Sequence, residues 1–314
     1  MTIEVRPLRE DELHAADRIY RRAFGTFLGL PDPLSFDGDA EVPRCRWSAD
    51  PFSTSALLED GVLAGSNFVT RWGSVGLFGP LSVAPERQGR GLAHALVAEA
   101  LRMLDGPPVT FRGLFTFAQS PAHVGLYQRF GYWPASLAAV MAKEVAPRAP
   151  ASPGLELLST LPGDAQAEAL SECRTLTDAV FDGLDVTGEI LAVGEEGTGE
   201  TVLVREGSAL AGLAVCHAGA GSEAGSGRAA VKLAAVLPGP GAETRLLRLL
   251  EAVEAWAAGT GARVVAAGTS AGRVRAWQAL RGAGYRPFLQ GLAMHHERRP
   301  GYDREDVLVL DDWR

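Results

Sequence analysis

The chain has 314 residues, 46% of them hydrophobic and 22% charged, which is ordinary for a soluble globular protein and long enough for two domains. Its formal net charge of −8 argues against a general nucleic-acid binder, because no basic excess can displace counterions from phosphates, and mildly favours cationic partners. The three cysteines, Cys45, Cys173 and Cys216, indicate neither a disulfide framework nor a zinc site, so we expect a metal-free protein of the reducing cytoplasm.

The amino-terminal segment predicts a strand and a helix. Residues 1–11 are charged from the fourth position and lack an apolar core, so we expect no signal peptide, and no stretch of the chain is long enough to span a membrane. Residues 3–8 alternate apolar and polar side chains as a half-buried strand does, and residues 10–24 have apolar positions at helical spacing.

Residues 29–41 predict a loop, because Pro31 and Pro33 stand among several acidic residues. Two interpretations remain open for this acidic loop: a solvated connection, or a negatively charged rim that attracts an amine. The next two strands, 53–58 and 62–71, are joined by an Asp-Gly turn typical of a hairpin. The strand at 74–83 contains Gly79 and Pro80, which predict a bulge because proline removes a ladder donor.

The stretch 81–96, LSVAPERQGRGLAHAL, predicts a strand, a glycine-bearing turn and the start of a helix that continues to residue 104. Gln88, Gly91 and Ala93 form a QxxGxA pattern at the turn. Consecutive free amides at a helix start, with the positive end of its dipole, predict an anion site suited to phosphate, and Arg87 and Arg90 add positive charge.

Two common phosphate-binding motifs do not fit this turn. A Rossmann loop needs GxGxxG and this turn has one glycine too few, while a P-loop needs a lysine that is missing near Gly91. The QxxGxA turn instead resembles the pyrophosphate-binding loop of the GNAT superfamily of acyl-CoA-dependent N-acetyltransferases. A second segment, LYQRFGYWPA at 126–135, is similar to the LYxxxGF segment of the same superfamily.

The resemblance implies acetyl-CoA as cosubstrate and a gap at the bulged strand that admits the pantetheine arm. Backbone groups at the bulge would pair with the pantetheine amides and polarise the thioester carbonyl. The residues that the resemblance assigns to the cofactor are Leu81, Ser82, Val83, Gln88, Gly89, Arg90, Gly91, Leu92, Ala93, His94 and Ser120.

The second half of the chain repeats the first in weakened form. Predicted elements of the first half continue as strand 109–117, helix 121–130 and strand 132–144, and APRAPASPG at 146–154 is typical of a linker. The hairpin sequence LEDGVLAG recurs near residues 204–212, and FGYWP recurs as AGYRP. Pro85 and Pro238, and likewise Gly131 and Gly284, lie 153 residues apart. We therefore predict an α/β protein with two tandem GNAT folds, 1–145 and 155–314, each a mostly antiparallel mixed sheet flanked by helices.

The second copy is predicted to lack cofactor. Its turn at 237–243, LPGPGAE, is shorter, has no counterpart of Gln88 and contains Pro240, which has no N–H to offer a phosphate. Leu280 stands where the first half has Tyr127. The helix at 243–257 still has an apolar face, which predicts that this half folds and helps to shape the acceptor pocket.

By resemblance, Tyr127 is the general acid that protonates the departing thiolate; the alternative is a core aromatic residue. A tyrosine with an ordinary pKa of about 10 is protonated at neutral pH. The general base stays open, because Phe78, Gly79, Pro80 and Ser82 occupy the strand where many members have a glutamate. The candidates are Glu59, Asp60, His123 and, from a resemblance to two-lobed aminoglycoside acetyltransferases, the carboxylate of Arg314.

Two functions from different classes follow. The first is an acetyltransferase whose small-molecule amine acceptor binds between the two halves, in a monomer or homodimer. The second is a non-catalytic acyl-CoA-binding sensor or partner-binding module that has the phosphate loop but no base.

Overall fold

A computed structural model describes residues 2–146, 154–311 and 313 of the chain. Most of the predicted linker at 146–154 and the candidate base Arg314 lie outside the described residues. The strands are β1 Ile3–Arg6, β2 Thr54–Glu59, β3 Val62–Trp72, β4 Val75–Phe78, β5 Ser82–Val83, β6 Phe111–Thr116, β7 Tyr132–Glu144, β8 Leu155–Leu157, β9 Gly199–Glu206, β10 Ala209–Gly219, β11 Gly225–Val236, β12 Val264–Ser270, β13 Arg286–His296 and β14 Val309–Asp311. The α-helices are α1 Leu13–Phe27, α2 Val42–Ala49, α3 Leu92–Met103, α4 Pro121–Gln128, α5 Gly163–Val180, α6 Thr187–Glu195, α7 Ala242–Gly259 and α8 Val274–Gly282.

The strands of the described residues form one continuous mixed sheet of 14 strands. Its order is β1-β2-β3-β4-β6-β13-β7-β12-β11-β10-β9-β8, with β5 added to β3 and β14 added to β11. Most neighbours are antiparallel, while the pairs β4–β6 and β11–β12 are parallel. Each half therefore supplies a mostly antiparallel mixed sheet, and the predicted fold class, two tandem folds of the same type, is confirmed.

The two halves exchange a strand at the centre of the sheet. Strand β13 from the second half lies between β6 and β7 of the first, so that Leu292 pairs with Thr116 on one side and Leu137 on the other. Strand β7 in turn lies between β13 and β12, where Ala139 pairs with Thr269. Each half thus completes its sheet with a strand of the other. The division at residues 145 and 155 stays a prediction about the chain order of the two folds.

Helices cover both faces of the first half's sheet because its strands alternate their side chains. Ala56, Leu58 and Phe68 pack on one face with α1, whereas Leu57 and Val83 pack on the opposite face with α3. None of the described helices combines the length and the apolar character needed to cross a membrane. The sulfurs of Cys45, Cys173 and Cys216 are free and the three side chains are buried.

Most predicted elements of the first half exist, with shifted ends. Strand β7 has the predicted bounds, but α1 begins three residues late because residues 10–12 form a 3-10 turn. The acidic loop is a loop, apart from one 3-10 turn at Pro33–Ser35. The sequence analysis missed α2. The two hairpins correspond as predicted, with tight turns between β2 and β3 and between β9 and β10.

Candidate functional site

The sheet of the first half opens where β4 ends, as the predicted bulge requires. Strand β4 pairs in parallel with β6 up to Leu77 and Gly113. The chain then leaves the ladder, with the Gly79 amide donating to the Phe68 carbonyl at 2.8 Å, and resumes as β5, which pairs only with β3. No described strand pairs with the other edge of β5. A gap therefore separates β5 from the last residues of β6.

The predicted strand residues of the cofactor site form this open edge. Ser82 and Val83 belong to β5, and Leu81 is the half-buried residue before it. The Gln88 side-chain amide donates to the Val83 carbonyl at 3.0 Å. Gln88 therefore holds the following turn against β5, which is a structural reason for its place in the QxxGxA pattern.

The turn before α3 presents five consecutive backbone amides without acceptors. Among the described residues, none accepts a hydrogen bond from the amides of residues 89–93. The flanking amides of Gln88 and His94 are already bound to backbone carbonyls, so these two predicted residues lie at the ends of the run. Gly91 is the N-cap of α3 with φ 81°, and a Cβ built on it meets no atom within 4 Å. The run fits a phosphate at a helix start.

Two arginines of the turn share one buried carboxylate. Arg87 and Arg90 both donate to Glu59, Arg90 at 3.3 Å, and Glu59 is only 3% exposed. This carboxylate fastens the turn to the end of β2, and its engagement argues against Glu59 as a general base. Asp60, in turn, is exposed at the tip of the hairpin, where its carboxylate accepts the Thr2 amide at 2.8 Å.

Tyr127 lies on α4 beside the sheet opening. Its ring packs against Phe78, the last residue of β4, with ring centroids 5.8 Å apart. No described residue is hydrogen-bonded to the Tyr127 hydroxyl, which unlike the Tyr132 hydroxyl is not fully enclosed. Burial raises the pKa of Tyr127 to about 12, so the phenol is protonated at neutral pH. The arrangement gives a proton donor without a partner next to the gap.

Two further residues that were predicted to belong to the site, Ser120 and His123, lie at the start of α4. Ser120 is the N-cap, and its hydroxyl accepts the His123 amide at 3.3 Å; a cofactor contact by Ser120 stays a prediction. The His123 ring packs on Phe27 with centroids 5.1 Å apart, and burial lowers its pKa. His123 is therefore neutral at pH 7, and it precedes Tyr127 by four residues, about one helical turn.

A buried group of ions, which we call the polar junction, joins the two halves behind the opening. It consists of Arg46 from α2, Glu223 from the β10–β11 turn and Lys232 from β11, whose side chains are 8%, 9% and 2% exposed. The Lys232 ammonium lies 2.7 Å from the Glu223 carboxylate. Burial alone would raise the pKa of Glu223, but the charges of Arg46 and Lys232 outweigh it and hold that pKa well below its usual value.

Two more polar side chains border the polar junction. The Trp72 indole donates to Glu189 at 3.1 Å, and neither ring nitrogen of His217 has a hydrogen-bond partner in the part of the chain that the structure describes. Glu189, His217 and Glu223 each bring a potential metal ligand within 4.8 Å of the others. Because two buried cations, Arg46 and Lys232, already pair with Glu223, a further cation would add positive charge to this buried site.

Trp313 lines two small cavities between the halves. One cavity is also lined by Phe78 and by Arg46 and Lys232 of the polar junction. The other is also lined by Phe115 and Arg273. The first cavity thus reaches the strand end on which Tyr127 packs. Trp313 is the residue before Arg314, whose carboxylate stays a predicted candidate for the base.

Replacing Glu223 by glutamine is expected to lower the free energy of unfolding by about 3 to 5 kcal/mol, the usual cost of removing one partner of a buried ion pair. The reason is that the Lys232 ammonium, whose side chain is 2% exposed, donates to Glu223 and to no other carboxylate of the described residues. Equilibrium urea unfolding measures the change. Asp306→Asn is the matched control, because its pair with Arg304 is exposed and such pairs contribute at most about 1 kcal/mol. Equally small losses of unfolding free energy in both variants would contradict a stabilising role for the polar junction.

The sequence model of the acetyltransferase (GNAT) family matches residues 13–132. The first half of the chain thus carries a GNAT-type domain. The matched segment runs from α1 to the first residue of β7, so it contains the amide run at residues 89–93 and Tyr127. No curated protein matches this sequence.

Solved structures show the same fold over nearly the whole chain. A putative acetyltransferase from Pyrococcus horikoshii aligns over 99% of this chain and 95% of its own, with 12% identity and a TM-score of 0.69. A GCN5-related N-acetyltransferase from Sphaerobacter thermophilus aligns over 95% of this chain and 96% of its own, with 20% identity and a TM-score of 0.61. A tandem GNAT protein from the clavulanic acid biosynthesis pathway aligns over 94% of this chain and 98% of its own, with 14% identity and a TM-score of 0.56.

The second GNAT fold has a different turn at the corresponding place. Gly241 caps α7 as Gly91 caps α3, with φ 79°. Pro240 has no amide hydrogen, however, and the Ala242 amide is bound to the Gly239 carbonyl. The Arg245 guanidinium donates to the Leu237 carbonyl at 3.1 Å. This turn therefore lacks the run of free amides found in the first fold.

Proposed function

We propose that this protein is a cytoplasmic N-acetyltransferase that transfers the acetyl group of acetyl-CoA to the amine of a small molecule. The observation that carries the proposal is the run of five free amides at residues 89–93 beside the open edge of β5. These amides, with Arg87 and Arg90, would hold the pyrophosphate of the cosubstrate. Backbone groups of Leu81, Ser82 and Val83 would pair with the pantetheine arm.

Tyr127 would serve as general acid. In the transfer, the amine nitrogen forms a bond to the thioester carbonyl carbon, the carbon–sulfur bond breaks, and the departing sulfur takes a proton. Tyr127 is protonated at neutral pH, and no residue that the structure describes competes for its hydroxyl, which supports this role. A base must accept the proton that the amine loses. His123, Asp60 and the carboxylate of Arg314 stay candidates, whereas the Glu59 carboxylate holds the turn.

A non-catalytic acyl-CoA sensor is the second candidate. The engagement of Glu59 by Arg87 and Arg90 favours it, because the Glu59 carboxylate is then not free to act as a base. Thiol release from acetyl-CoA, measured with a panel of amines, decides between the two. Acceptor-dependent release supports the acetyltransferase, and coenzyme A binding without any release by the panel supports the sensor.

Each chain is expected to bind one coenzyme A, although it contains two copies of the fold. The physical reason is the turn at residues 237–243, where a proline and internal hydrogen bonds replace the free amides. Titration calorimetry should give a stoichiometry near one per chain. A value near two would show that the second fold also binds the cosubstrate.

A further inference from the structure

Aromatic side chains from three segments pack together at one end of the first half's sheet. Neighbouring ring centroids lie 4.9 to 6.1 Å apart, a separation typical of interacting aromatic pairs. We call this group the aromatic cluster. Its members are Tyr20, Phe24 and Phe27 of α1, Phe36 of the acidic loop, and Phe115 and Phe117 at the end of β6.

The aromatic cluster is not sealed in the core. Phe24, Phe27, Phe36 and Phe115 are only half-buried, so each presents part of its ring to solvent. Leu28 and Leu34, adjacent to the cluster in the chain, are 39% and 36% exposed. Grouped apolar surface of this kind in a soluble protein marks a place where a ligand or partner binds.

The aromatic cluster contacts the helix that carries the proposed general acid. Phe27 packs on His123, which stands one helical turn before Tyr127 on α4. Phe117 directly follows β6, the strand that borders the gap in the sheet. An acceptor that approaches the thioester near Tyr127 would therefore pass over or rest on these rings.

A carboxylate adjoins the aromatic cluster. The acidic loop at residues 29–41 contains four acidic side chains and neither Lys nor Arg. Three of them have partners outside the cluster: Asp32 accepts the Leu34 amide at 3.1 Å, Asp39 accepts the Ser226 amide at 2.7 Å, and Glu41 lies 2.9 Å from Arg44. Asp37 instead accepts the hydroxyl of Tyr20, a member of the cluster. A carboxylate beside aromatic rings is suited to a cation on an apolar body.

The acidic loop is held firmly on α1. The Arg21 guanidinium donates to the carbonyls of Phe36 and Gly38 at 2.6 and 2.7 Å. Where the loop crosses the helix, a Cβ built on Gly25 would lie 2.3 Å from the Pro33 carbonyl oxygen, so only glycine allows this approach. The aromatic cluster is thus preorganised, which reduces the entropy lost when a ligand binds.

We propose that the acceptor is an amine carried on an aromatic or similarly flat apolar body. Its ring packs on the aromatic cluster and Asp37 attracts its ammonium form. This inference rests on the proposed acetyl transfer, whose acceptor it specifies.

The first test compares 2-phenylethylamine with ethylamine, which is the same amine without the ring. We expect kcat/KM for thiol release to be about 10- to 100-fold higher with the ring, a difference of roughly 1.4 to 2.8 kcal/mol. Phe24→Leu should reduce this ratio at least fivefold and leave the KM for acetyl-CoA unchanged. Equal use of both amines by the wild type, or an equal loss for both in the variant, would overturn the inference.

A second variant changes the shape of the site without removing a ring. Gly25→Ala places a methyl group against the Pro33 backbone and should displace the acidic loop, lowering kcat/KM for 2-phenylethylamine more than for ethylamine. Gly194→Ala in α6 is the matched control, because its new methyl group meets no atom within 4 Å. A selective loss in the control as well would count against the inference.

Binding measurements separate failure of this inference from failure of the proposed function. Titration of the coenzyme A complex with 2-phenylethylamine reports the aromatic site without chemistry. If 2-phenylethylamine binds, Phe24→Leu weakens that binding, and no amine causes thiol release from acetyl-CoA, the result would support the aromatic site and refute acetyl transfer. Thiol release with ethylamine and no binding of 2-phenylethylamine would refute the site and support acetyl transfer.

Discussion

Coenzyme A binding is expected to be abolished by Gly91→Glu, with affinity at least about 100-fold lower, or roughly 3 kcal/mol. Gly91 lies within the run of free amides, and its surroundings are open to solvent. A glutamate side chain would place a negative charge and added bulk where the pyrophosphate is proposed to bind, at the positive end of the α3 dipole. Titration calorimetry of the folded variant measures the loss.

Gly241→Glu is the matched control for backbone strain and charge. Gly241 caps α7 with φ 79°, nearly the value of 81° at Gly91, so both substitutions impose a left-handed conformation on a glutamate. The two variants should lose similar stability, while only Gly91→Glu loses coenzyme A. Retained affinity in Gly91→Glu, or an equal loss of affinity in Gly241→Glu, would refute the assignment of the first turn.

Tyr127→Phe is expected to lower turnover by roughly 10²- to 10⁴-fold, the usual contribution of a positioned general acid. The substitution removes the hydroxyl and preserves the ring that packs on Phe78, so coenzyme A affinity should change little. Because Tyr127 has no hydrogen-bond partner among the described residues, the fold loses no internal bond. Steady-state kinetics and calorimetry on the same preparation give both quantities.

Tyr132→Phe provides the control for a lost tyrosine hydroxyl in the same core. The Tyr132 ring also packs on Phe78, with centroids 5.5 Å apart, but its hydroxyl is fully enclosed and none of the described residues is hydrogen-bonded to it. Turnover should be unaffected in this variant. Wild-type turnover in Tyr127→Phe would eliminate the general-acid role, and unfolding of that variant would instead support a purely structural tyrosine.

Local sequence signals predicted the parts of the site that local chemistry determines. Gly79 and Pro80 cannot continue a ladder, and the sheet opens there. Gly91 adopts the left-handed conformation that a turn from strand into helix requires. The spacing of Tyr20, Phe24 and Phe27 on one helix face was a further signal, which the sequence analysis did not use and which could have indicated the aromatic cluster.

The polar junction and α2 could not be predicted in the same way. Arg46 and Glu223 are 177 residues apart, so no window of sequence contains both, and each alone is typical of an exposed charge. Helix α2 has eight residues with a proline near its start and little amphipathic pattern. The ends of β7 were predicted, but which strands it joins depends on long-range pairing that alternation does not encode.

The exchanged strands have a consequence for synthesis. Residues 1–145 contain every group proposed to hold coenzyme A, yet their sheet is incomplete until β13, at Arg286–His296, has been made. At 5 to 20 residues per second, the ribosome needs roughly 10 to 30 s for the intervening segment of about 150 residues. During that interval the edges of β6 and β7 lack their partner and need protection from association. A chain truncated before β13 would therefore have an incomplete sheet in its first half and should be inactive. We expect chaperones to bind the nascent first half until β13 has been made.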